Sequence, residues 1–486
     1  MKTSLSLASV VLLASFVGPF ASAQHYTQVN LVANVSGVAP VTDPHLINPW
    51  GLSRTSGSPW WISDNGTGLS TLYNGAGAIT PLVVTIPKAN PNSKTFPTGT
   101  PTGTIANSSP TDFVLAPGAP AAFLFSTLDG TISGWNPNVG VAAGGAPGSS
   151  TNAVIVVKTT DGSSYTGLTS ALVNGNRYLY AANFNKGTVD VYNNAFQRVT
   201  LRPNGNGDRD QENNGPFNNE NNGPFTDDRL PRNFVPFNVQ AIGNDIVVTF
   251  VLHQEGKQLE TDGPGLGYVD IFSSDGQLLQ RLEHGDWLNA PWGVALAPLD
   301  FGIFSHDLLV GQFAGAGSSE GSGTIAAYDL ATGKFIALVL DASGKPLSIN
   351  GLWALSPGNS AAPGSYDPAA SPAAELYFSA GPDNGAGGLF GYLKPVATEL
   401  TVGNDQESIL HSSPILRGPD IRFQIWASFA SMSVCARLRR PSGGSPPDSG
   451  ARWSSTGRQL RLDLVARGIF DDCDDHPSQK RQFRRQ

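Results

Sequence analysis

Short apolar runs alternate with polar positions along most of this chain, and turn-forming residues separate one run from the next. Between Thr188 and Tyr192, the two valines Val189 and Val191 fall on one face of an extended segment, and the residues around them fall on the other. This two-residue period is typical of β-strands, and no long segment shows the period of an amphipathic helix. The pattern therefore predicts an all-β protein with many tight turns.

One arrangement of these runs recurs: a start segment, an apolar strand, a turn of small residues, and a second strand that ends in an aromatic residue. The six start segments are Pro49–Leu52, Thr111–Val114, Tyr165–Leu168, Pro236–Val239, Pro291–Val294 and Asn350–Trp353. Six units of this size fit four-stranded blades, whose edges are protected when the sheets are arranged radially. We therefore expect a six-bladed β-propeller over residues 24–398.

A segment near the N-terminus predicts how the propeller closes. Tyr26–Val32 precedes the first unit and has the alternation of a strand. A propeller ring closes when one terminus donates a strand to the last blade. We expect this segment to complete the sixth blade, where it would pair with Gly388–Lys394.

The first 23 residues predict export. Lys2 supplies a positive charge, an apolar run extends from Leu5 to Phe20, and Ala21-Ser22-Ala23 has the small-residue spacing of a signal-peptide cleavage site. A membrane anchor is the alternative, but the run is short for a bilayer span of about 20 residues. We expect a mature chain that begins at Gln24, has no transmembrane segment, and is extracellular or periplasmic.

Residues 399–486 differ from the rest of the chain. The blade pattern stops there, arginines cluster, and both cysteines of the chain, Cys435 and Cys473, lie in this tail. A basic tail of this kind suits polyanions or anionic surfaces. We favour the other interpretation, a poorly structured extension beyond the propeller.

Composition narrows the classes of partner and site. Charged residues make up 14% of the chain, the net charge is −8, and the body carries no basic patch of the kind that binds nucleic acid. The body has no cysteine, which excludes disulfides and cysteine-based zinc sites there. We expect a monomer.

A polar insertion at residues 204–228 contains a short tandem duplication, in which Asn213–Phe217 repeats as Asn221–Phe225. Asp210 and Glu212 fall near the first positions of an EF-hand calcium loop, but the twelfth position is an asparagine and no flanking helices are visible. We therefore interpret the insertion as a low-complexity loop.

Several segments also resemble a known group of proteins. Asn48–Leu52, Trp61–Gly68, Leu288–Gly293 and Asn350–Leu355 are similar to an uncharacterised family of secreted, mostly bacterial β-propeller proteins, distantly like NHL-repeat proteins. The resemblance covers about residues 26–395. It implies an extracellular six-bladed propeller and carries no established activity. Some relatives end in a PEP-CTERM sorting signal, which this chain lacks.

Propeller geometry predicts where a site would form, because the loop into each inner strand and the turn after the second strand open on one face. On our register that face carries Asn48, Asp64, Asn65, Asp112, Asn183, Asn238, His253, Asn289, Gln312, Asn350, Asp383 and Asn384. Rings of Asn and Asp oxygens suit Ca²⁺. The alternative is that these residues cap strands and stabilise turns. Our candidate calcium ligands are Asn48, Asp112, Asn238, Asn289 and Asn350.

Catalytic residues cannot be assigned from motifs. Gly317–Gly321 matches G-x-S-x-G, but it lies between predicted strands, whereas a nucleophile elbow needs a strand-to-helix turn. His253 is interpreted as a loop histidine rather than a general base. Trp50, Trp292 and Trp353 stand at blade starts, which predicts packing between blades.

Three classes of function remain open. We favour a non-catalytic binding or scaffold propeller at the cell exterior, with an extracellular protein or polysaccharide as partner. The second is a Ca²⁺-dependent hydrolase or lyase, resembling lactonases and phosphotriesterases by fold analogy, with its site at the mouth of the central tunnel. The third is a structural protein of the cell envelope.

Overall fold

Six sheets, each built on four antiparallel strands, form the main body of the protein. A computed structural model describes residues 24–202, 223–254, 257, 260–298, 300–314, 322–358 and 375–397, together with four short strands between residues 422 and 439. The chain divides into two compact units, Met1–Ile409 and Leu410–Gln486. The six sheets belong to the first unit.

Each blade runs from an inner strand outwards. Blade 1 contains Pro49–Ser53, Trp60–Asp64, Leu69–Tyr73 and Val84–Thr85. Blade 2 contains Pro101–Ala106, Phe123–Thr127, Thr131–Trp135 and Val154–Lys158. Blade 3 contains Tyr165–Val173, Asn176–Asn183, Thr188–Asn193 and Arg198–Val199. Blade 4 contains Phe234–Ile242, Asp245–Leu252, Gly267–Phe272 and Leu278–Arg281. Blade 5 contains Pro291–Leu296, Leu308–Gln312, Ile325–Tyr328 and Phe335–Leu338. Blade 6 contains Leu352–Pro357, Leu376–Ala380, Leu389–Pro395 and the N-terminal strand His25–Ala33.

The remaining elements are short. Val41–Thr42 and Leu340–Asp341 pair in parallel with the N-terminal strand. Two small ladders join Val114–Ala116 to Ala119–Pro120 and Ser322–Gly323 to Ile349–Asn350. The helical content of the described residues is one 3-10 turn, Gly302–Phe304. In the second unit, Arg422–Phe423 pairs with Leu438–Arg439, and Ser428–Phe429 pairs with Met432–Ser433.

Each inner strand contacts the inner strand of the next blade, and the inner strand of blade 6 contacts that of blade 1. The sheets therefore close into a six-bladed propeller, as the repeat predicts. We call the face at which the inner strands begin the upper face, and the face at which they end the lower face. No helix in the described ranges has the length and apolar character needed to cross a membrane.

The predicted closing strand is confirmed. His25–Ala33 runs antiparallel to Leu389–Pro395, with Tyr26 opposite Pro395 and Ala33 opposite Leu389. Val32 is fully buried, and the Tyr26 hydroxyl donates a hydrogen bond of 2.6 Å to the Phe301 carbonyl beside blade 5. The first strand of the propeller therefore completes its last blade and closes the ring.

The predicted start of blade 2 is wrong. Thr111–Val114 lies in the connection on the lower face, and the inner strand of this blade is Pro101–Ala106. This strand shows no apolar pattern in the sequence because threonines take the buried positions. The hydroxyl groups of these threonines donate hydrogen bonds to backbone carbonyls. Thr102 Oγ1 donates to the Tyr165 carbonyl at 2.7 Å, and Thr104 Oγ1 donates to the Leu124 carbonyl at 3.1 Å.

Several predictions lie outside the described residues. They concern the signal peptide at residues 1–23, most of the insertion at 204–228, the G-x-S-x-G match at Gly317–Gly321, and the tail at 399–486 apart from the four strands given above.

Two valines at the closing strand test its role. Val32→Asp places an unpaired carboxylate in the packed core, and we expect it to lower the free energy of unfolding by at least about 3 kcal/mol. Val35→Asp is the control, since this side chain is 52% exposed just after the strand, and we expect a change within about 0.5 kcal/mol. Chemical denaturation measures both. Equal losses would contradict closure by this strand.

Candidate functional site

Small residues near the start of the inner strands let neighbouring blades approach closely at the axis. A β-carbon added to Gly51 would lie 2.5 Å from the Thr102 carbonyl oxygen and 2.6 Å from the Thr104 nitrogen. In blade 4 the corresponding residue is Asn238, which is buried and donates through Nδ2 to the Trp292 carbonyl at 2.7 Å. At this position, therefore, the backbone of the neighbouring blade fills the space beside Gly51, whereas in blade 4 the Asn238 side chain fills it.

Aromatic side chains from four blades fill the mouth of the tunnel at the upper face. They stand one position before the small residues, at Trp50, Phe237, Trp292 and Trp353, and are all buried. The rings of Trp50 and Trp353 stack with centroids 3.6 Å apart, and Trp292 meets both edge-on at 6.0 and 5.7 Å. We call these four residues the aromatic plug. The predicted inter-blade packing of the tryptophans is confirmed.

Hydrogen bonds fix the orientation of the plug. Trp292 Nε1 donates to the Thr166 carbonyl at 3.0 Å, and Trp353 Nε1 donates to Asn48 Oδ1 at 3.1 Å. Beside the plug, the axis holds a cavity of about 20 Å³. A space of this size accommodates roughly one water molecule.

The side chains of three of the five candidate calcium ligands make hydrogen bonds within the protein. Asn48 has φ of 48° at the turn into its inner strand, a conformation that asparagine tolerates better than most residues, and its Oδ1 accepts from Trp353. Asn289 is fully buried, and its Oδ1 accepts from the Gly263 N–H at 2.7 Å. Asn238 donates to the plug backbone as described above.

The remaining two candidates are placed differently. Asn350 is exposed, at the short ladder that precedes the inner strand of blade 6. Asp112 lies on the lower face, where Ser109 and Asn194 donate to its carboxylate and Arg177 lies 3.6 Å away. The structure therefore does not bring Asp112 to the face that carries Asn48, because the strand assigned around it belongs to a connection. These contacts hold the pKa of Asp112 below its usual range although partial burial opposes them.

Other residues of the predicted ring also bond within the protein. Asn65 donates to the Pro101 carbonyl, and Gln312 accepts from the Asn289 N–H. His253 packs on the ring of Phe184 with centroids 4.3 Å apart. In the part of the chain that the structure describes, no group of three or more His, Cys, Asp or Glu side chains is arranged to hold a metal ion.

Sequence reasoning missed a polar relay beside blade 1. Buried Asp43 accepts from the Tyr73 hydroxyl at 2.9 Å, and its other oxygen lies 2.9 Å from Nδ1 of His45, whose side chain is half exposed. The D-x-H spacing of Asp43 and His45 is a weak signal, and Tyr73 is 30 residues away. Only the pairing of the N-terminal strand with blade 6 brings the three together.

Buried carboxyl groups recur inside the blades. Burial raises the pKa of Asp64 well above its usual range, although the Thr71 N–H donates to it at 3.0 Å. Burial also raises the pKa of Asp270, beside the ion pair of Asp227 and Arg281. These side chains lie within their sheets and are almost completely inaccessible, so they form no open carboxylate ring at the tunnel mouth.

Comparison with known proteins identifies uncharacterised relatives, and no family model matches this chain. Three similar proteins are uncharacterised proteins of Acanthamoeba polyphaga mimivirus. One is 28% identical over 328 residues, which cover 67% of this chain and 72% of the relative. Another is 28% identical over 388 residues, covering 78% and 89%. A third is 30% identical over 235 residues, covering 48% and 37%.

Solved structures with some likeness include a glucose dehydrogenase, with a TM-score of 0.42 and 11% identity over 75% of this chain and 98% of that one. A streptogramin B lyase gives a TM-score of 0.38 and 10% identity over 77% and 98%. The Swd1 β-propeller domain of Myceliophteria thermophila gives 0.34 and 9% over 71% and 83%. Likeness at this level supports no functional conclusion.

Two glycines of blade 1 test the close packing at the axis. Gly51→Ala forces its β-carbon against the backbone of blade 2, and we expect a loss of about 1–3 kcal/mol in the free energy of unfolding. Gly57→Ala is the matched control, because nothing lies within 4 Å of the added carbon. We expect it to be neutral or to stabilise by up to about 1 kcal/mol. Urea denaturation distinguishes them, and a neutral Gly51→Ala would contradict the packing.

Proposed function

We propose that this chain is a binding or scaffold propeller that acts at the cell exterior. The observation that carries the proposal is the aromatic plug, which occupies the tunnel mouth with buried, interlocked side chains. A substrate pocket in a protein is typically a cleft of roughly 300–1,000 Å³. The axial cavity of about 20 Å³ is far too small for one.

The hydrogen bonds of the candidate calcium ligands support the same proposal. A calcium site gathers six to eight oxygen ligands around one point. Here Asn48 and Asn289 direct Oδ1 at N–H donors of the protein, and Asp112 lies on the other face. A Ca²⁺-dependent hydrolase or lyase at this mouth would have to replace those hydrogen bonds. A structural role in the envelope is the remaining alternative, and no contact in the described residues favours it.

The partner that we propose is an extracellular protein or a polysaccharide, bound by a monomer through the loops of the propeller faces. Export rests on the charge, apolar run and cleavage pattern of residues 1–23. A rigid ring is a suitable scaffold for binding, since loops held by a fixed framework lose little conformational freedom when they bind.

Calcium titration tests the proposal against the hydrolase alternative. We expect the melting temperature of the full chain to stay within about 1 °C between EDTA and millimolar Ca²⁺, with no turnover of a lactone or a phosphotriester. A bound ion at 100 times its dissociation constant would add about 2.7 kcal/mol, which thermal denaturation readily detects. A calcium-dependent rise together with turnover would overturn the proposal.

Co-sedimentation tests the polysaccharide partner directly. We expect cellulose, chitin or peptidoglycan to retain the folded protein, because a loop-built site needs the native ring. The same chain after heat denaturation and removal of aggregates is the control. Equal retention of both forms would indicate nonspecific adsorption. Retention by none of the three polymers would leave a protein as the proposed partner.

A further inference from the structure

A cleft of about 360 Å³ opens at the lower face between blades 4 and 5. Val247 and Ile271 of blade 4 form its buried floor, and Leu279 and Leu330 line it nearer the surface. Leu279 is 48% exposed at the outer edge. The cleft thus has an aliphatic interior of a size that holds a small ligand, and it lies on the opposite face from the plug.

Both walls of the cleft are held by hydrogen bonds. On the blade 4 side, the amide of Asn244 accepts from the Leu172 N–H at 3.0 Å and donates to the Leu172 carbonyl at 2.9 Å. On the blade 5 side, the Glu283 N–H donates to the Gly333 carbonyl at 2.8 Å, which fixes the turn that follows Tyr328. A cleft that is formed in advance spares a ligand the cost of ordering it.

Asp245 supplies the one ionisable side chain among the residues that line this cleft. Among the described residues, no donor or cation contacts its carboxylate. Asp245 is exposed at the start of the second strand of blade 4. Partial desolvation raises its pKa, and no neighbouring charge offsets that effect. A carboxylate beside an apolar surface is more stable when a cation pairs with it.

From this juxtaposition we infer that the cleft binds a small amphiphilic cation, with its apolar chain on Val247, Ile271 and Leu279 and its ammonium group beside Asp245. The chemistry is that of a primary amine carried on an aliphatic chain. The inference does not depend on the function proposed above, because it concerns the other face and holds whether or not the upper loops bind a polymer.

Isothermal titration of the full chain with hexylammonium chloride tests the site, with 1-hexanol as the uncharged probe. We expect saturable binding of hexylammonium, and binding of hexanol at least about fivefold weaker, since hexanol cannot pair with a carboxylate. Added salt should weaken hexylammonium binding alone. Equal affinity for both probes, or no saturable binding of hexylammonium, would overturn the inference.

Variants locate the site. Asp245→Asn should weaken hexylammonium about fivefold and leave hexanol unchanged, whereas Asp262→Asn, an exposed carboxylate of the same blade away from the cleft, should change neither. Leu279→Ser, at an exposed edge where folding is not at risk, should weaken both probes. Wild-type affinity for hexylammonium in both Asp245→Asn and Leu279→Ser would place the binding elsewhere and overturn the assignment.

Discussion

The close approach of the inner strands at the axis is the constraint on which the rest of this structure depends. Gly51 lets one strand lie against the backbone of the next. Trp50, the residue before it, packs against Trp292 and Trp353. In four blades that preceding residue is aromatic. The contacts between blades that close the ring therefore also fill the tunnel mouth. The stacked pair of Trp50 and Trp353 joins the first blade to the last.

Burial within the blades accounts for the shifted pKa values of two carboxyl groups. Burial raises the pKa of Asp64 and Asp270, a property often found in active sites. Both lie inside sheets, and Asp190 in blade 3 is also buried, where Tyr165 and Arg198 donate to it. Polar groups that recur within blades and bond to local partners serve to order the sheets, and the raised pKa of Asp64 and Asp270 reflects their burial.

Much of the fold follows from local patterns, while the site depends on contacts between distant residues. The alternation in Tyr26–Val32 was enough to predict the closing strand, because a strand of the last blade needed a partner. The inner strand Pro101–Ala106 could not be recognised, since its buried threonines look like a surface loop in sequence, and that error also misplaced Asp112. The hydrogen bond from Tyr73 to Asp43 could not be predicted from the sequence, because the fold of the ring brings these two distant residues together.

Radial packing also accounts for the position of the cleft. Sheets that meet at an axis diverge towards their outer strands, so larger side chains are needed there to fill the space between blades. On the blade 4 side of the cleft the lining residues Val247 and Ile271 are of medium size, and the nearby Asn244 side chain is directed to blade 3. The space therefore stays open on the outside while the axis is filled. The gap between blades 4 and 5 is accordingly the place where we propose that a small ligand binds.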